Sequence, residues 1–218
     1  LRQDLYVSVI PTYDYYPEDT AMETMPELQA LVDEIADTVE PSAIVNIHLP
    51  PVTYEGSLVM EKRPVNLYGS AGDNGRTTFT DTMRVASKDS WITYVQNIDF
   101  RGSGENVGIS ASARLWVENC TFTGWKTGVL GYGTAWVNTI DCRFEDNGIG
   151  FHFYSEGKSA NHTKFNDNVF VGNGTAVRLE RVPTDLTLDF YGSYFSGNET
   201  DIDNICMQSI DISEAIFE

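Results

Sequence analysis

The sequence is poor in three features that would each indicate a particular class of protein. It has only 3 cysteines, and none lies in a C-x-x-C pair, which argues against a disulfide framework and a cysteine-based metal or redox site. No apolar run approaches the length of a membrane-spanning helix. Only 14 basic residues stand against 32 acidic ones, a net charge of −18. Such a surface repels a phosphate backbone, so nucleic acid is not an expected partner.

What is present fits one main domain rich in strands and turns. The chain has 218 residues, 41% of them hydrophobic, with 18 glycines and 8 prolines. It opens on Leu1 without a visible signal peptide. We therefore expect a mature fragment of a secreted or cell-surface protein, whose targeting signal is not in this sequence.

A repeat of about 22 residues dominates the sequence from residue 41 onward. Phenylalanines recur at intervals of 22 to 26 residues, at Phe100, Phe122, Phe144, Phe170, Phe195 and Phe217. The positions five and seven residues before each phenylalanine are nearly all apolar or β-branched, and the position between them differs. This alternation with period two is typical of a strand with one buried face.

A second alternating segment follows each phenylalanine after a short turn, as at 107–111, 127–131, 149–153 and 175–179. With the short strand that ends at the phenylalanine, each coil has three strands, and stacked coils bury an interior that one coil cannot bury alone. The sequence therefore predicts an all-β, right-handed, single-stranded parallel β-helix of about six to seven coils over residues 41–218.

Short polar residues recur at the bend after the first strand of each coil, at Asn97, Asn119, Asp141 and Asp167. Such residues tolerate left-handed backbone, and in stacked coils they are expected to form a ladder. Cys120 and Cys142 fall beside this ladder, one above the other, and are expected to be two thiols and not a disulfide.

An α-helix is predicted at residues 24–39. Thr24 and Glu27 have the spacing of a capping box, apolar residues follow with helical spacing, and Pro41 comes after the end. We expect this helix to cover the open end of the first coil. Residues 1–23 are predicted to be an irregular arm or linker before the β-helix domain of residues 24–218.

The coil pattern resembles the pectate lyase and pectin methylesterase superfamily. The stretch 44–56, followed by 62–69, is similar to the first coils of those proteins, and 114–122 resembles a middle coil of pectate lyases. The resemblance covers most of the chain. It implies a pectin lyase-like fold whose members cleave, de-esterify, epimerise or bind polysaccharides laid across one parallel sheet. The aspartate and arginine motifs of the lyases and the paired aspartates of the polygalacturonases are not found, so family motifs do not support catalysis.

The outward side of the segment after each phenylalanine is the first candidate surface, because the resemblance places substrates there. As an enzyme, Arg178 would neutralise a substrate carboxylate, and His152 or Glu180 would transfer the proton. Asp201 and Asp203 would hold a cation such as Ca²⁺. The alternative is that these are ordinary solvated side chains on a coil exterior.

Aromatic residues complete the predicted substrate contacts. Tyr132 and Tyr154 belong to the first surface, where they would stack on sugar rings. Tyr94 and Trp116 lie on the outward side of the preceding strand and form a second candidate surface for glycan or protein. Trp125 belongs to a turn that would flank either surface.

Two functional hypotheses follow. The first is a secreted, acidic β-helix domain that binds or processes polysaccharide, with activity as a lyase, glycoside hydrolase or epimerase left open. The second is a structural or adhesive module of a larger bacterial surface protein without enzymatic activity. Either one is compatible with a homo-oligomer or with further domains in the same chain.

Overall fold

The computed structural model describes residues 9–72, 75–87, 91–157 and 163–218, so the first eight residues of the predicted arm lie outside it. One α-helix, α1 (Met25–Thr38), lies near the amino terminus. The strands, in chain order, are β1 (Thr12–Tyr15), β2 (Ile44–His48), β3 (Thr53–Tyr54), β4 (Leu58–Met60), β5 (Asn66–Tyr68), β6 (Ala71–Gly72), β7 (Gly75–Phe79), β8 (Met83–Val85), β9 (Thr93–Gln96), β10 (Ile98–Arg101), β11 (Val107–Ala111), β12 (Arg114–Glu118), β13 (Thr121–Thr123), β14 (Thr127–Gly133), β15 (Trp136–Ile140), β16 (Arg143–Glu145), β17 (Ile149–Ser155), β18 (Val169–Val171), β19 (Thr175–Arg181), β20 (Leu188–Asp189), β21 (Tyr194–Ser196), β22 (Thr200–Asn204), β23 (Ile210–Asp211) and β24 (Ile216–Phe217).

The strands stack into three parallel sheets, which confirms the predicted β-helix with about seven coils of about 22 residues. Sheet 1 has the order β1-β2-β5-β9-β12-β15, and β20 and β23 continue it as a separate pair. Sheet 2 has the order β24-β21-β18-β16-β13-β10-β7-β3, with β6 antiparallel to β7. Sheet 3 has the order β22-β19-β17-β14-β11-β8-β4.

The interior follows the predicted columns. Phe122, Phe144 and Phe170 are fully buried and stack with ring centroids 5.0 and 4.9 Å apart. The ladder continues in both directions through Tyr54, Phe79, Phe100, Phe195 and Phe217. Stacked rings on successive coils bury large apolar surfaces in a fixed register, which holds the coils in line.

Helix α1 covers the first coil as predicted. Thr24 and Glu27 form the capping box, with the Thr24 amide donating to the Glu27 carboxylate at 3.0 Å. The Gln29 side chain pairs both the amide and the carbonyl of Val59, at 2.8 and 3.0 Å, on the outer strand of sheet 3. The helix therefore satisfies backbone groups that an edge strand leaves open.

The arm before the helix is more regular than the sequence indicated. Residues Thr12–Tyr15 form β1, which pairs in parallel with Ile44–Ile47 of β2 and adds a rung to sheet 1. The predicted irregular conformation is therefore wrong for these four residues. A strand forms here because the edge of β2 offers unpaired backbone groups that an extended segment can satisfy.

Two ladders of short polar side chains line the bends. Asn97, Asn119, Asp141 and Asp167 have φ of 60°, 50°, 52° and 58°, which confirms the left-handed bend, and Asn119 donates to Asn97 at 2.7 Å. These side chains are not buried. The buried ladder lies at another bend, before sheet 3, where the Nδ2 group of Asn147 donates to Asn173 at 3.0 Å and that of Asn173 to Asn198 at 2.9 Å. That second ladder was not predicted.

Two of the three cysteines behave as expected, and Cys206 is exposed. Cys120, Cys142 and Cys206 are free, and the first two are buried in adjacent coils. Burial raises the pKa of the Cys142 thiol well above its usual value. The Cys142 thiol therefore stays protonated, and both buried cysteines act as part of the packed interior.

Candidate functional site

The outer face of sheet 3 brings the three predicted catalytic residues together. Pairing of β17 with β19 places His152 opposite Arg178, and pairing of β19 with β22 places Arg178 opposite Asp203. Strand spacing puts these side chains about 4.8 Å apart along the solenoid. We call this surface the His152 face and define it by Tyr132, His152, Tyr154, Arg178, Glu180, Arg181, Asp201 and Asp203.

His152 and Glu180 form a hydrogen-bonded pair on this face. The Nε2 atom of His152 lies 3.1 Å from a carboxylate oxygen of Glu180. An ionised carboxylate only accepts, so this contact requires the hydrogen on Nε2 and leaves Nδ1 as the acceptor of the ring. The imidazole is 16% exposed. Burial lowers the pKa of His152, and the Glu180 hydrogen bond and charge partly oppose that effect.

The chain forms this pair through an irregularity in the sheet. Phe153 lies opposite Leu179, but Tyr154 lies opposite Arg181, so the pairing register shifts by one residue. The extra residue on β19 is Glu180. An extra residue bends a strand and redirects its side chains, and here it allows Glu180 to reach His152 while Arg181 reaches Tyr154.

Arg178 and Asp203 form the second pair on the face. The Nε atom of Arg178 donates to Asp203 at 2.9 Å, and the two side chains are 33% and 32% exposed. The terminal guanidinium nitrogens of Arg178 have no hydrogen bond within the residues that the structure describes. They are therefore free to donate to hydroxyl or carboxylate oxygens of a ligand.

The two tyrosines differ in how much ring they offer. Tyr132 lies opposite Tyr154 on the adjacent coil and is half-buried. Tyr154 is 39% exposed, but the Arg181 guanidinium lies 4.8 Å from its ring centre, and Arg181 also forms an ion pair with Glu156. One ring face of Tyr154 is thus occupied by a cation–π contact.

The predicted calcium site is not supported. Asp201 accepts a hydrogen bond from the Asn198 amide at 3.0 Å, and Asp203 is paired with Arg178. Within the described ranges no three His, Cys, Asp or Glu side chains converge as metal ligands. Calcium prefers six to eight oxygen ligands, and two carboxylates with partners of their own do not supply them.

Tyr94 and Trp116, on the outer face of sheet 1, also meet as predicted. Their ring centres are 6.1 Å apart, and the Lys164 ammonium lies 5.9 Å from the Trp116 ring. Glu118 accepts hydrogen bonds from the Trp116 indole at 3.0 Å and from Gln96 at 3.1 Å. Both aromatic rings are half-buried. Because β9 and β12 belong to sheet 1 and β17 to sheet 3, this patch lies on a different face from the His152 pair.

Trp125 requires a correction. Its side chain is 1% exposed, so the prediction that it flanks a binding surface is wrong. Its backbone amide donates to Asn147 at 2.9 Å, and a Cβ atom on Gly102 would lie 2.5 Å from its indole. Glycine in the neighbouring turn leaves room for the indole ring to be buried. The spacing of aromatic residues in the sequence does not reveal this burial.

The sequence reading also missed a cavity. It has a volume of about 420 Å³ and lies where the strands of sheet 1 begin, with Tyr94 in its wall. Ile44, at the start of β2, and Pro64 and Ile92, just before β5 and β9, line it and lie on the outward side of sheet 1. Three apolar residues in an outward column are the signal that could have identified it, because the outside of a coil is normally polar.

Comparison with known proteins gives one match. A family model described as NosD, periplasmic copper-binding protein, matches residues 67–202, more than half of the chain. The match confirms the inferred kinship with right-handed parallel β-helix proteins. No curated protein and no solved structure matches the chain. No helix among the described residues is long and apolar enough to cross a bilayer.

The described residues do not fit a copper centre. Copper sites bring together imidazole and sulfur ligands, but His48 and His152 lie on different sheets. Cys120 and Cys142 are buried, and no group of three ligands converges in the described part of the chain. The third histidine, His162, lies outside the described residues. The described residues of the His152 face therefore offer no ligand set for copper.

Proposed function

This chain belongs to the NosD family, and we propose that it is an extracytoplasmic β-helix protein that binds polysaccharide on the His152 face without cleaving it. The family description, periplasmic, supports the location. Polysaccharide binding is supported by the chemistry of the face itself.

The observation that carries the proposal is the arrangement of two hydrogen-bonded pairs on successive coils. His152 with Glu180 and Arg178 with Asp203 present donors and acceptors side by side, and the charge of Arg178 is balanced by that of Asp203. Sugar hydroxyls both donate and accept, so such pairs suit a neutral glycan better than a strongly charged ligand. The outer half of Tyr132 adds an apolar surface on which a sugar ring can stack.

The shape of the face favours an extended polymer over a single sugar. Equivalent outward positions recur with each coil, as from Leu130 to His152 to Arg178. A chain laid along the solenoid axis therefore meets a new set of side chains about every 4.8 Å. Several weak contacts in series give useful affinity without a deep pocket.

Binding is tested with purified protein on a glycan array and then by calorimetry with each polymer that binds, neutral and uronic. We expect Arg178→Gln to weaken binding at least about tenfold, a loss of about 1.4 kcal/mol. The matched control is Arg143→Gln, because Arg143 forms a similar ion pair with Glu145 on sheet 2, at 2.9 Å. If no glycan on the array binds, or if both variants lose the same affinity, the proposal is overturned and a structural or adhesive module is favoured.

A lyase, hydrolase or epimerase is the second candidate, and the His152–Glu180 pair favours it. A neutral imidazole oriented by a carboxylate is a common general base. Incubation with polyuronates separates the two readings. A rise in absorbance from unsaturated uronate that Glu180→Gln abolishes would establish a lyase, and release of reducing ends would establish a hydrolase. Binding with neither product, and with the stereochemistry of the uronates unchanged by NMR, supports the non-catalytic proposal.

A further inference from the structure

The cavity at the start of sheet 1 is apolar and lies apart from the His152 face. We call it the Trp91 pocket, and its principal walls are Pro41, Ile44, Pro64, Trp91, Ile92 and Arg114. The segment that follows α1 forms one side, and the other sides come from the residues at or just before the starts of β2, β5, β9 and β12. Its volume of about 420 Å³ is within the range of small-molecule sites.

The walls favour an apolar ligand. Trp91 remains 40% exposed, and Ile44, Pro64 and Ile92 are half-buried, so water still reaches these side chains. A ligand that covers them removes apolar surface from water, which is worth about 25 cal/mol per Å². A flat ring against Trp91 gains additional stacking.

The charge of the pocket is opposite to that of the protein. Among the described residues no carboxylate lines it, although the chain carries 32 acidic against 14 basic residues. Arg63 and Arg114 both line it. The Arg63 guanidinium is buried and donates to the carbonyls of Val39 and Ala43 at 3.0 and 2.7 Å. The pocket is therefore a small basic, apolar site on an acidic molecule.

Arg114 is distinctive among the arginines of the described residues. Six others lie within ion-pair distance of a carboxylate, namely Arg76, Arg84, Arg101, Arg143, Arg178 and Arg181. The Arg114 side chain has no hydrogen bond or ion pair within the described part of the chain. An exposed guanidinium at the rim of an apolar cavity is suited to an anionic group.

We propose that the Trp91 pocket binds a small amphipathic anion, with its apolar body against Trp91 and Ile92 and its carboxylate, sulfonate or phosphate at Arg114. This site is independent of polysaccharide binding, because it lies on another sheet and shares no residue with the His152 face.

Calorimetry with the full chain and three probes of the same ring tests the proposal. The probes are 2-naphthoate, 2-naphthyl phosphate and the neutral 2-naphthylmethanol. We expect the two anions to bind at least about fivefold more tightly than the alcohol. Comparison of the carboxylate with the phosphate identifies the preferred head group.

Variants test the contributions of the Arg114 charge and of the apolar wall to binding separately. Arg114→Gln should weaken the anions about tenfold and change the alcohol less than twofold, since it removes only the charge. Arg84→Gln, which removes an arginine paired with Glu61 at 3.0 Å on sheet 3, serves as the matched control and should change neither. Ile92→Trp should fill the pocket and abolish all binding, and if it fails to fold, Trp91→Ala should weaken all three probes alike.

The proposal is overturned if the wild-type protein binds none of the probes. It is equally overturned if the alcohol binds as well as the anions, or if Arg114→Gln and Arg84→Gln have the same effect. None of these results bears on glycan binding to the His152 face, so the two proposals stand or fall separately.

Discussion

The His152 face and the Trp91 pocket lie on different sheets of the same solenoid, and they differ in whether their charged side chains have partners. On the His152 face, Arg178 is paired with Asp203 and His152 with Glu180. At the pocket, Arg114 has no such partner within the described residues. The coil repeat decides which side chains point outward on both sheets. Their chemistry differs because the residue opposite Arg178 on the next coil is Asp203, whereas the residue opposite Arg114 is Trp136.

The largest expected effect comes from the interior that both surfaces share. Phe144→Ala removes a fully buried ring that stacks on Phe122 and Phe170, and we expect a loss of about 3–5 kcal/mol in the free energy of unfolding. Urea denaturation measures it. If the two surfaces rest on one scaffold, glycan and naphthoate binding weaken together near the denaturation midpoint. Loss of only one would show that the coils unfold separately.

A smaller effect is expected at the buried amide ladder before sheet 3. Asn173→Ala leaves the backbone amide of Asn147 without its acceptor at 3.1 Å and removes the donor to the Phe144 carbonyl at 3.0 Å. Leaving such buried groups unsatisfied costs about 2 kcal/mol in the free energy of unfolding. Asn166→Ala is the control, because its side chain has no hydrogen bond within the described residues, and urea denaturation should separate the two.

The His152–Glu180 pair predicts a pH effect limited to the sheet 3 face. The pKa of His152 lies below its usual value of 6.5, mainly through burial, and Glu180 opposes this. Glu180→Gln should therefore lower the pKa of His152 further, as measured by NMR titration of its imidazole protons. Glu156→Gln should leave that pKa unchanged. A rise in the Glu180→Gln variant would contradict the contact.

The sign of the linked stability follows from the direction of that shift. Because the pKa of His152 is lower in the folded state, the unfolded chain binds more protons, and the contribution is fully present above pH 6.5. It is lost as the pH falls from 6.5 through the pKa of folded His152. The Glu180→Gln variant should lose more stability than the wild type over this acid range, as thermal unfolding at several pH values would show.

The smallest expected effect compares the two arginines directly. Arg178→Gln leaves Asp203 without its partner on a face that is about one third exposed, and we expect a loss of about 0.5–1 kcal/mol in the free energy of unfolding. Arg114→Gln should change that free energy by less than about 0.5 kcal/mol. Parallel urea titrations decide the matter, and equal losses would show that Arg114 has a structural role.

The sequence predicted the fold well because the relevant signals are local. Alternation along each strand identified the inward columns, and Leu115, Val117 and Phe122 are indeed fully buried. The capping box at Thr24 located the helix for the same reason. In the last coil the pattern was less informative, since Ile212 occupies an inward position yet is 42% exposed.

The candidate site was only partly predictable. Register alone placed His152 and Arg178 on neighbouring coils. The buried ladder through Asn147, Asn173 and Asn198 does have a signal in the sequence, because an asparagine follows three residues after each of three phenylalanines. Burial of Trp125 had no comparable signal, because it depends on how closely two turns approach one another.

The sequence by itself determined that this chain coils, where the strands of the repeat lie and which of their residues face outward in most coils, because period-two alternation and the 22-residue repeat act within one coil and its neighbours. Tertiary structure decided which outward residues meet. The register shift after Phe153 creates the His152–Glu180 contact, and the chain after α1 closes the Trp91 pocket. Both depend on the lengths and shapes of turns, which determine the contacts between coils and do not follow the periodic pattern of the sequence.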